Sequence, residues 1–447
     1  MKKSFFSLNA PLKTIKGMDA LPVNEVPVPA RLIVFMKQHY GKGCIPLVKK
    51  GDRVKQGQTI GSTENFAAVD IHAPASGEIT DILQLPNPYG GNSTAVIIEN
   101  DFRDERIERN TDPDYLEREP RELFYKLRRL GVTGINLEPI PLDTIAYPIS
   151  TESDHKLALE ELPPIDRLII TAVDEEPMMA SCENSLSYYR DQVPDAVNLM
   201  KHLYEVNGTV TIAAPATKYD KATEAAKGTA DVQIVSARYP NTLPELMAMK
   251  ITGREIPASG SPRMAGVVVI PLRTAVHALR AVRDGDPVTK IIVTFAGDAV
   301  KPPRLLKATI GTPIREVLHF CDVKESSLAR LVLGGPIRGK AQFSLDIPVV
   351  KGACAIQVMT HKTITPVAEN NCINCGSCVE HCPVNLQPNI LSRHMQFFNL
   401  DNKIRKQFTA CIECGMCGYV CPARRPMLQY MQNAKVALNI PRRGIII

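Results

Sequence analysis

The sequence predicts a multidomain α+β protein, in which a β module, an α/β domain and a second strand-rich unit precede a helical segment rich in cysteine. Three observations lead to this fold class. The length of 447 residues suggests about three or four domains. Short apolar runs alternate with helical periodicity through the middle of the chain, which is typical of βαβ units. Eight of the 12 cysteines lie between Cys372 and Cys421.

The first element is an all-β module over residues 22–100. Turn-forming glycines separate short β-branched stretches at residues 48–61, and the segment 73–82 repeats this pattern. These stretches resemble the barrel-sandwich domain of biotinyl and lipoyl carriers. A carrier needs a lysine at the exposed hairpin tip, and residues 62–73 contain none, so a structural β module is favoured over a modified-lysine carrier. With the charged, proline-containing linker that follows, the first domain is predicted over residues 1–118.

The middle of the chain predicts an α/β domain over residues 119–262. Its first helix is expected at 120–130, where apolar residues recur at helical spacing and Gly131 follows. Apolar runs at 167–173, 210–214 and 232–235 are typical of strands buried in a parallel sheet. Helical stretches at 188–207 and 222–228 separate them.

A second strand-rich unit, β-grasp-like, is predicted over residues 263–349. Its strands are expected at 266–270, 290–297 and 331–336, with a helix at 314–320 between the last two. The remaining residues, 350–447, are predicted to form a helix-and-loop domain that holds the clustered cysteines, with one helix at 389–399.

Composition excludes several classes of protein. The longest apolar run, residues 264–272, is far shorter than the ~18 residues of a membrane span, and no apolar leader follows the first residues. We therefore expect a chain that is soluble or attached to a membrane only through partners. A net charge of +6 and the absence of Trp argue against nucleic-acid binding. Clustered cysteines in a long chain favour metal binding over a disulfide framework.

The strongest signal is a cysteine pattern that occurs twice. Residues 372–383 and 411–422 both read C-x2-C-x2-C-x3-C-P, the run that bacterial two-cluster ferredoxins use for [4Fe–4S] centres. In that arrangement the fourth cysteine of each run serves the other cluster. One predicted ligand set is therefore Cys372, Cys375, Cys378 and Cys421, and the other is Cys411, Cys414, Cys417 and Cys382.

This region also admits other interpretations. Two structural zinc sites fit poorly, because zinc sites usually combine two shorter C-x2-4-C halves. His381 is expected to be a solvated loop histidine, with tuning of a cluster as the alternative. The flanking arginines are predicted to form a solvated basic tail, with a docking patch for an acidic redox partner as the alternative: Arg424, Arg425, Arg442 and Arg443. The remaining cysteines are expected to be buried or half-buried: Cys44, Cys182, Cys321 and Cys354.

The order of these pieces resembles one family along nearly the whole chain, the C subunit of Rnf-type ion-translocating electron-transport complexes. That family is related to the NADH-binding flavoprotein subunit of respiratory complex I. Besides both cysteine runs, the matching segments are 73–77, 251–257, 311–314, 334–336 and 346–349. The resemblance implies a barrel-sandwich module, a complex I flavoprotein-like α/β domain, a β-grasp-like SLBB domain and a dicluster ferredoxin-like domain.

The family's flavin and nucleotide motifs do not match. Its G-x-G-G-A-G-F-P-T loop, which cradles the FMN phosphate, corresponds here to residues 131–139, where most glycines are lost and Glu138 adds negative charge. Three further motifs are altered, at residues 171–178, 238–247 and 271–275. We therefore expect that the chain binds neither FMN nor NADH, and no flavin-binding residue is assigned.

The resulting expectation is an iron–sulfur electron-transfer subunit with two [4Fe–4S] clusters and no catalytic side chain. It would lie on the cytoplasmic face of the cell membrane, held there by integral membrane Rnf-type subunits and an iron–sulfur subunit. Electrons would pass between a soluble donor, with ferredoxin favoured, and membrane subunits that move Na+ or H+. The alternatives are an FMN-containing subunit that oxidises NADH or reduces NAD, a soluble relay in a cytosolic redox complex, and a structural domain with vestigial clusters.

Overall fold

The N-terminal region consists of short strands, as its glycine-punctuated β-branched runs predict. The computed structural model describes residues 18–440 except 19, 66, 135–138, 148–161, 259 and 365–368. The strands are β1 (Val23–Glu25), β2 (Arg31–Phe35), β3 (Ile45–Pro46), β4 (Arg53–Val54), β5 (Thr59–Ser62), β6 (Ile71–His72), β7 (Gly77–Pro86) and β8 (Asn92–Asn100). They form one antiparallel sheet ordered β2-β8-β7-β4 and another ordered β3-β5-β6.

Strand β2 is buried on both faces and joins two cores. Leu32 and Val34 belong to the core inside the β module, whereas Ile33 and Phe35 belong to the large core shared with the rest of the body. This division follows from the strand geometry, because successive side chains point to opposite faces. Since both sets are apolar, burial alone does not select the register, which the pairing with β8 defines, Ile33 lying opposite Ile97.

An α/β region follows the β module. Its elements are α1 (Pro120–Arg129), α2 (Leu142–Ala146), β9 (Arg167–Thr171), α3 (Ser181–Tyr188), α4 (Val193–Leu203), β10 (Thr209–Ala214), α5 (Tyr219–Ala226), β11 (Asp231–Ile234), α6 (Pro244–Thr252), β12 (Val267–Pro271) and α7 (Leu272–Asp284). The strands form a parallel sheet ordered β11-β10-β9-β12. The predicted parallel sheet of buried apolar strands is confirmed at β9 and β10.

One strand lies in a different sheet from the one expected. The sequence places the run at 266–270 in the second strand-rich unit, but β12 pairs with β9 in the parallel sheet, Val267 lying opposite Arg167. An uninterrupted apolar run suits a buried position in either sheet, so its composition does not select the partner strand. Helix α7 follows directly and packs against this sheet.

The second strand-rich unit is a mixed six-stranded sheet with one helix. Its elements are β13 (Lys290–Ala296), β14 (Arg304–Thr309), α8 (Ile314–Phe320), β15 (Leu328–Leu333), β16 (Lys340–Gln342) and β17 (Ala355–Thr360), in the sheet order β1-β14-β13-β17-β15-β16. Two expectations need correction. Strand β1 pairs with β14 instead of the N-terminal sheets. Strand β17 extends the unit past its expected end at residue 349 and lies between β13 and β15.

Both corrections concern non-local pairing, which sequence patterns do not specify. Strand β1 has three residues and pairs with the otherwise unpaired edge of a strand that lies some 280 residues later in the chain, Val23 being opposite Leu305. The predicted linker over 101–118 also contacts the body, because the Asp112 amide donates to the Arg283 carbonyl at 2.8 Å and Tyr115 is buried. The predicted division into four domains itself stays a prediction.

The C-terminal region is helical. Its helices are α9 (Ser377–Glu380), α10 (Pro388–Gln396), α11 (Asn402–Ala410), α12 (Met416–Tyr419) and α13 (Met427–Ala437). Leu391, Phe408 and Met431, from α10, α11 and α13, meet in a small separate core. Helix α11 begins at a side-chain cap, since Asp401 accepts hydrogen bonds from the amides of the second and third helical residues at 2.9 and 2.8 Å.

Candidate metal centre

The two cysteine runs fold into equivalent loops. In the first loop, Asn374 and Gly376 have φ of 56° and 79°; in the second, Glu413 and Gly415 have φ of 54° and 72°. These left-handed residues turn the chain sharply twice, and glycine adopts such a φ without steric cost. Each loop then enters a one-turn helix, α9 or α12, directly after its glycine. The backbone of both runs therefore has the same course.

The loops bring the eight cysteines together around two cavities. Cavity A, of about 360 Å³ including open solvent, is lined by Cys372, Cys375, Cys378 and Cys421. Cavity B, of about 380 Å³ including open solvent, is lined by Cys382, Cys411, Cys414 and Cys417. Each cavity thus receives three cysteines from one run and the last cysteine of the other run. These are the same two sets of four that the ferredoxin pattern predicts.

The thiols surround the two cavities and do not converge on a point. Within the described residues, no three or more His, Cys, Asp or Glu side chains form a group that could hold a metal ion. The chemistry of the lining is nevertheless specific, because thiolate sulfur is the soft ligand that iron–sulfur clusters require. Four cysteines at each cavity supply the number of protein ligands that one [4Fe–4S] cluster takes.

The two cavities differ in their access to solvent. At cavity A, Cys375 is exposed and Ile373 is 67% exposed. At cavity B, Cys414 and Cys417 are buried. The loop of cavity B also packs against the segment before α6, where the Tyr239 hydroxyl donates a hydrogen bond to the Cys414 carbonyl. Cavity B therefore faces the protein body, whereas cavity A lies towards the surface.

The thiol pKa values follow these environments. Burial raises the pKa of Cys414 to about 12 and raises the pKa of Cys417 still further. Burial also raises the pKa of Cys382 and Cys411. At cavity A, burial likewise raises the pKa of Cys378, whereas a hydrogen bond from the Ser377 backbone amide lowers the pKa of the exposed Cys375. Since metals bind thiolates, ligation at cavity B must release protons from thiols that burial otherwise keeps neutral.

Comparisons with known proteins agree with this architecture. A model described as the RnfC barrel sandwich hybrid domain matches residues 11–103, and a model of the 4Fe-4S dicluster domain matches residues 371–425. The chain is 31% identical, over 88% of its length and 84% of the relative's, to the C subunit of the proton-translocating ferredoxin:NAD(+) oxidoreductase complex of Clostridium ljungdahlii. The chain belongs to the family of C subunits of Rnf-type ion-translocating oxidoreductase complexes.

Further relatives come from other bacteria. The C subunit of the Na(+)-translocating ferredoxin:NAD(+) oxidoreductase complex of Acetobacterium woodii is 30% identical, over 83% of this chain and 84% of that protein. The C subunit of the ion-translocating oxidoreductase complex of Pseudomonas aeruginosa is also 30% identical, but the match spans only 48% of that longer protein. A chain in the air-oxidized crystal structure of an NAD+-reducing [NiFe]-hydrogenase matches 72% of this chain and 54% of its own, with a TM-score of 0.45 and 14% identity.

Membership of this family confirms several predictions. The N-terminal barrel-sandwich module is confirmed, and the dicluster domain identifies the chain as an electron-transfer subunit that carries iron–sulfur clusters. Among the described helices, none combines the length and apolar character needed to cross a membrane. The four scattered cysteines are all buried, as expected.

One predicted role is wrong. The sequence predicts Arg425 in a solvated basic tail, but this residue is only 5% exposed and lines cavity A. Its neighbour Arg424 is exposed, while Arg442 and Arg443 lie outside the described residues. His381 bonds through Nδ1 with the Ser377 carbonyl at 2.9 Å, a contact within its own loop. The position of Arg425 could have been inferred from the repeat, because the equivalent residue of the first run, Leu386, lines cavity B.

The carboxyl edge of the parallel sheet holds the altered flavin motifs. After β9, the Asp174 carboxylate accepts hydrogen bonds at 3.0 Å from the amides of Cys182 and Glu183, at the beginning of α3. Arg273, at the beginning of α7, donates to the Ser181 hydroxyl. Ligands of α/β folds bind at this edge of the sheet. Here its buried polar groups bond to one another.

The rest of the altered stretch 171–178 is also engaged in internal contacts, although Glu176 Oε1 has no hydrogen-bond partner among the described residues. Glu176 accepts hydrogen bonds from the amides of Ile337 and Arg338 at 2.9 and 3.0 Å, and Glu175 forms an ion pair with Arg338 at 3.2 Å. Burial raises the pKa of both carboxyl groups. In the loop that should hold the FMN phosphate, residues 135–138, including Glu138, lie outside the described residues.

Proposed function

We propose that the chain relays electrons one at a time through two [4Fe–4S] clusters, one in cavity A and one in cavity B. The observation that carries this proposal is the partition of the eight cysteines into two sets of four, each drawn from both runs. Such crossed ligation places the two clusters within one small domain, so that an electron can pass from one to the other. The clusters supply the redox chemistry when bound, and the protein holds and insulates them.

The proposed ligands are the thiolates of Cys372, Cys375, Cys378 and Cys421 at cavity A, and of Cys382, Cys411, Cys414 and Cys417 at cavity B. The alternative is that each cavity holds a zinc ion instead of an iron–sulfur cluster. Zinc takes four thiolates in a closed tetrahedron, usually from two C-x2-4-C halves. Three closely spaced cysteines followed by one that crosses to the other site are typical of cubane clusters instead.

The proposed electron partners follow from the relatives. Two of them are subunits of ferredoxin:NAD(+) oxidoreductase complexes that translocate protons or Na(+). For this chain we infer a peripheral position on the cytoplasmic face of the membrane, bound to the other subunits of an Rnf-type complex. A one-electron carrier such as ferredoxin is the favoured soluble donor, because a chain without flavin cannot divide a hydride into single electrons.

The proposed absence of FMN and NADH has support at the carboxyl edge of the sheet. A phosphate bound there would need backbone amides at a helix N-terminus, but those of α3 already donate to the Asp174 carboxylate. A second anion at this position would face a buried negative charge. An additional anion therefore does not fit at the beginning of α3, and at the loop over residues 131–139 the loss of glycines argues against the flavin phosphate, so no step of the proposed relay uses flavin.

The test is metal, sulfide and flavin analysis of the anaerobically purified full chain, followed by reduction assays. We expect about eight irons and eight sulfides per chain, from two four-iron clusters, with no acid-extractable flavin. Reduced ferredoxin should bleach the cluster absorbance, whereas NADH alone should not.

Zinc in place of iron would overturn the cluster proposal. About one flavin per chain, together with bleaching by NADH, would support the alternative of an FMN-containing NADH-oxidising subunit. Failure to co-purify with integral membrane subunits in mild detergent would favour a soluble relay in a cytosolic redox complex.

A further inference from the structure

The two cavities are related by an internal repeat, and two lining positions differ in character. Residues of cavity A recur in cavity B at equivalent places in the two runs, as with Cys372 and Cys411 or Ile373 and Ile412. At two other pairs a polar residue of cavity A corresponds to an apolar residue of cavity B, and at a third pair Asn374 corresponds to Glu413. Arg425 and Asn389 line cavity A, where the equivalent residues of cavity B are Leu386 and Leu428, respectively. Cavity A thus has a cation and an amide where cavity B has hydrocarbon.

The Arg425 guanidinium is held by three neighbours. Its Nη2 donates a hydrogen bond to Gln396 Oε1 at 2.7 Å, and its Nη1 lies 3.4 Å from Glu369 Oε1. Its plane lies over the Tyr430 ring, with 5.3 Å between Cζ and the ring centroid. The side chain is 4% exposed. These contacts fix the orientation of the guanidinium beside the cavity.

The third nitrogen of this group lacks a partner. Among the described residues, nothing forms a hydrogen bond with Arg425 Nε, which is buried. A buried donor without an acceptor is unfavourable, and more so when it is charged. The other two nitrogens are directed to Gln396 and Glu369, and the side chain lines cavity A, so an acceptor held in that cavity would complete the set.

We propose that Arg425 donates its Nε–H to a sulfur of the iron–sulfur cluster in cavity A and makes that cluster the higher-potential one of the two. This inference rests on the proposed cluster assignment. One-electron reduction adds a negative charge to a cluster, so a nearby cation and hydrogen-bond donor stabilise the reduced form. Cavity B has Leu386 at the equivalent position, and its lining Glu413 carries a carboxylate that pairs with Lys435 at 2.6 Å.

The consequence is a direction for the relay. An electron that arrives at the cluster in cavity B, which faces the protein body, moves downhill to the cluster in cavity A, which lies near the surface. The exposed Cys375 and Ile373 then mark the place where a partner takes the electron. Neither cluster needs to gain a proton for this transfer.

The test is an EPR-monitored redox titration of the full chain, purified anaerobically, with the cavity A signal identified by its loss in Cys421→Ala. The wild type should show two midpoint potentials. Arg425→Gln should lower that of cavity A by at least a tenfold change in the reduction equilibrium, about 59 mV for one electron. Cavity B should not shift.

Two further variants separate charge from hydrogen bonding. Arg424→Gln removes the same charge from an adjacent exposed side chain, and it should leave both potentials unchanged because solvent and salt screen exposed charges. Arg425→Lys keeps the charge but has no Nε–H at that place, so it should produce a smaller downward shift than Arg425→Gln.

The outcomes are distinguishable. Equal wild-type potentials, or an unshifted cavity A potential in iron-loaded Arg425→Gln, would overturn the inference. If Arg425→Gln does not retain iron, the cavity A potential is measured in Arg425→Lys instead, and an unshifted value there would likewise overturn the inference. A wild-type chain without iron would instead refute the proposed function itself.

Discussion

The carboxyl edge of the parallel sheet and the two cysteine cavities arrange their buried polar groups in opposite ways. At the sheet edge, the Ser181 hydroxyl donates to Asp174 and accepts from Arg273, and Asp174 also accepts from the amides at the beginning of α3. At the cavities, eight thiols and one arginine nitrogen lie around shared space. Buried groups that satisfy one another stabilise a fold, whereas buried groups arranged around a cavity indicate a ligand. The polar groups of the sheet edge therefore stabilise the fold, whereas those around the cavities indicate a bound group.

The largest expected effect concerns the crossed ligation. Cys421→Ala should abolish the cluster of cavity A and Cys382→Ala that of cavity B, because each removes one of four ligands. Each variant should keep about half of the wild-type iron, since each retains one intact four-cysteine set. Iron analysis with EPR on anaerobic protein measures this.

The matched control is Cys321→Ala, since this cysteine is buried in the main core and lines neither cavity. It should keep the full iron content. If Cys382→Ala instead removed the EPR signal that is also lost when Cys372 is changed, each cluster would be held by the four cysteines of a single run. The division of the cysteines between the two cavities would then be wrong.

A second prediction concerns the internal bonds at the sheet edge. Asp174→Ala should lower the free energy of unfolding of the α/β region by about 3 kcal/mol, because the amides at the beginning of α3 lose their acceptor in a buried position. Urea unfolding monitored by hydrogen exchange in β9 measures this loss.

Asp174→Asn is the matched variant, since it keeps one acceptor oxygen, and it should lose less stability than Asp174→Ala. If Asp174→Ala were as stable as the wild type and bound FMN, the carboxylate would be a substitute for a phosphate and not a structural group.

A third prediction uses the pH dependence of Lys351. Its Nζ donates to the Gly131 carbonyl at 2.6 Å, and burial lowers its pKa from 10.5 to about 8. Between these values the unfolded chain binds more protons, so this group's contribution to stability rises with pH. The contribution is complete above 10.5 and is lost as the pH falls through about 8.

The measurement is the difference in unfolding free energy between the wild type and Lys351→Met across that pH range. The difference should change by about 3 kcal/mol in favour of the wild type as the pH rises. If the unfolding free energies of the two proteins changed in parallel with pH, Lys351 would have an ordinary pKa despite its burial.

The smallest effect is expected at the amino edge of the parallel sheet, opposite the edge that holds Asp174. Asp166 receives two hydrogen bonds from Arg254, both at 2.6 Å, and these lower its pKa below the usual 3.8. The pair therefore stabilises the fold above that pH, and its contribution is lost as the pH falls through the lowered pKa. Asp166→Asn should cost about 1 kcal/mol near neutral pH, because the pair is partly exposed.

The check is urea unfolding near neutral pH and at about pH 3. The cost of Asp166→Asn should shrink at the lower pH, and Arg254→Gln should behave in the same way. A cost that is equal at both pH values would show that the ionised carboxylate contributes nothing.

Local patterns predicted much of this protein. The apolar runs at 167–173 and 210–214 became β9 and β10, and the helical spacing at 314–320 became α8. The repeated cysteine spacing predicted the two sets of four residues that line the cavities. Such predictions succeed because hydrophobic periodicity and tight ligand loops depend on residues that are close in sequence.

Tertiary contacts decided the rest. The run that became β12 fits a buried strand in either sheet, and only its pairing with β9 selects one. The repeat aligns Arg425 with Leu386, but only the packing of α10 and α13 supplies the partners of its guanidinium, Gln396 and Tyr430. The spacing of cysteines determined which metal chemistry the chain can support. The folded chain decided the surroundings of each cavity, because the enclosing residues come from segments whose proximity no local pattern records.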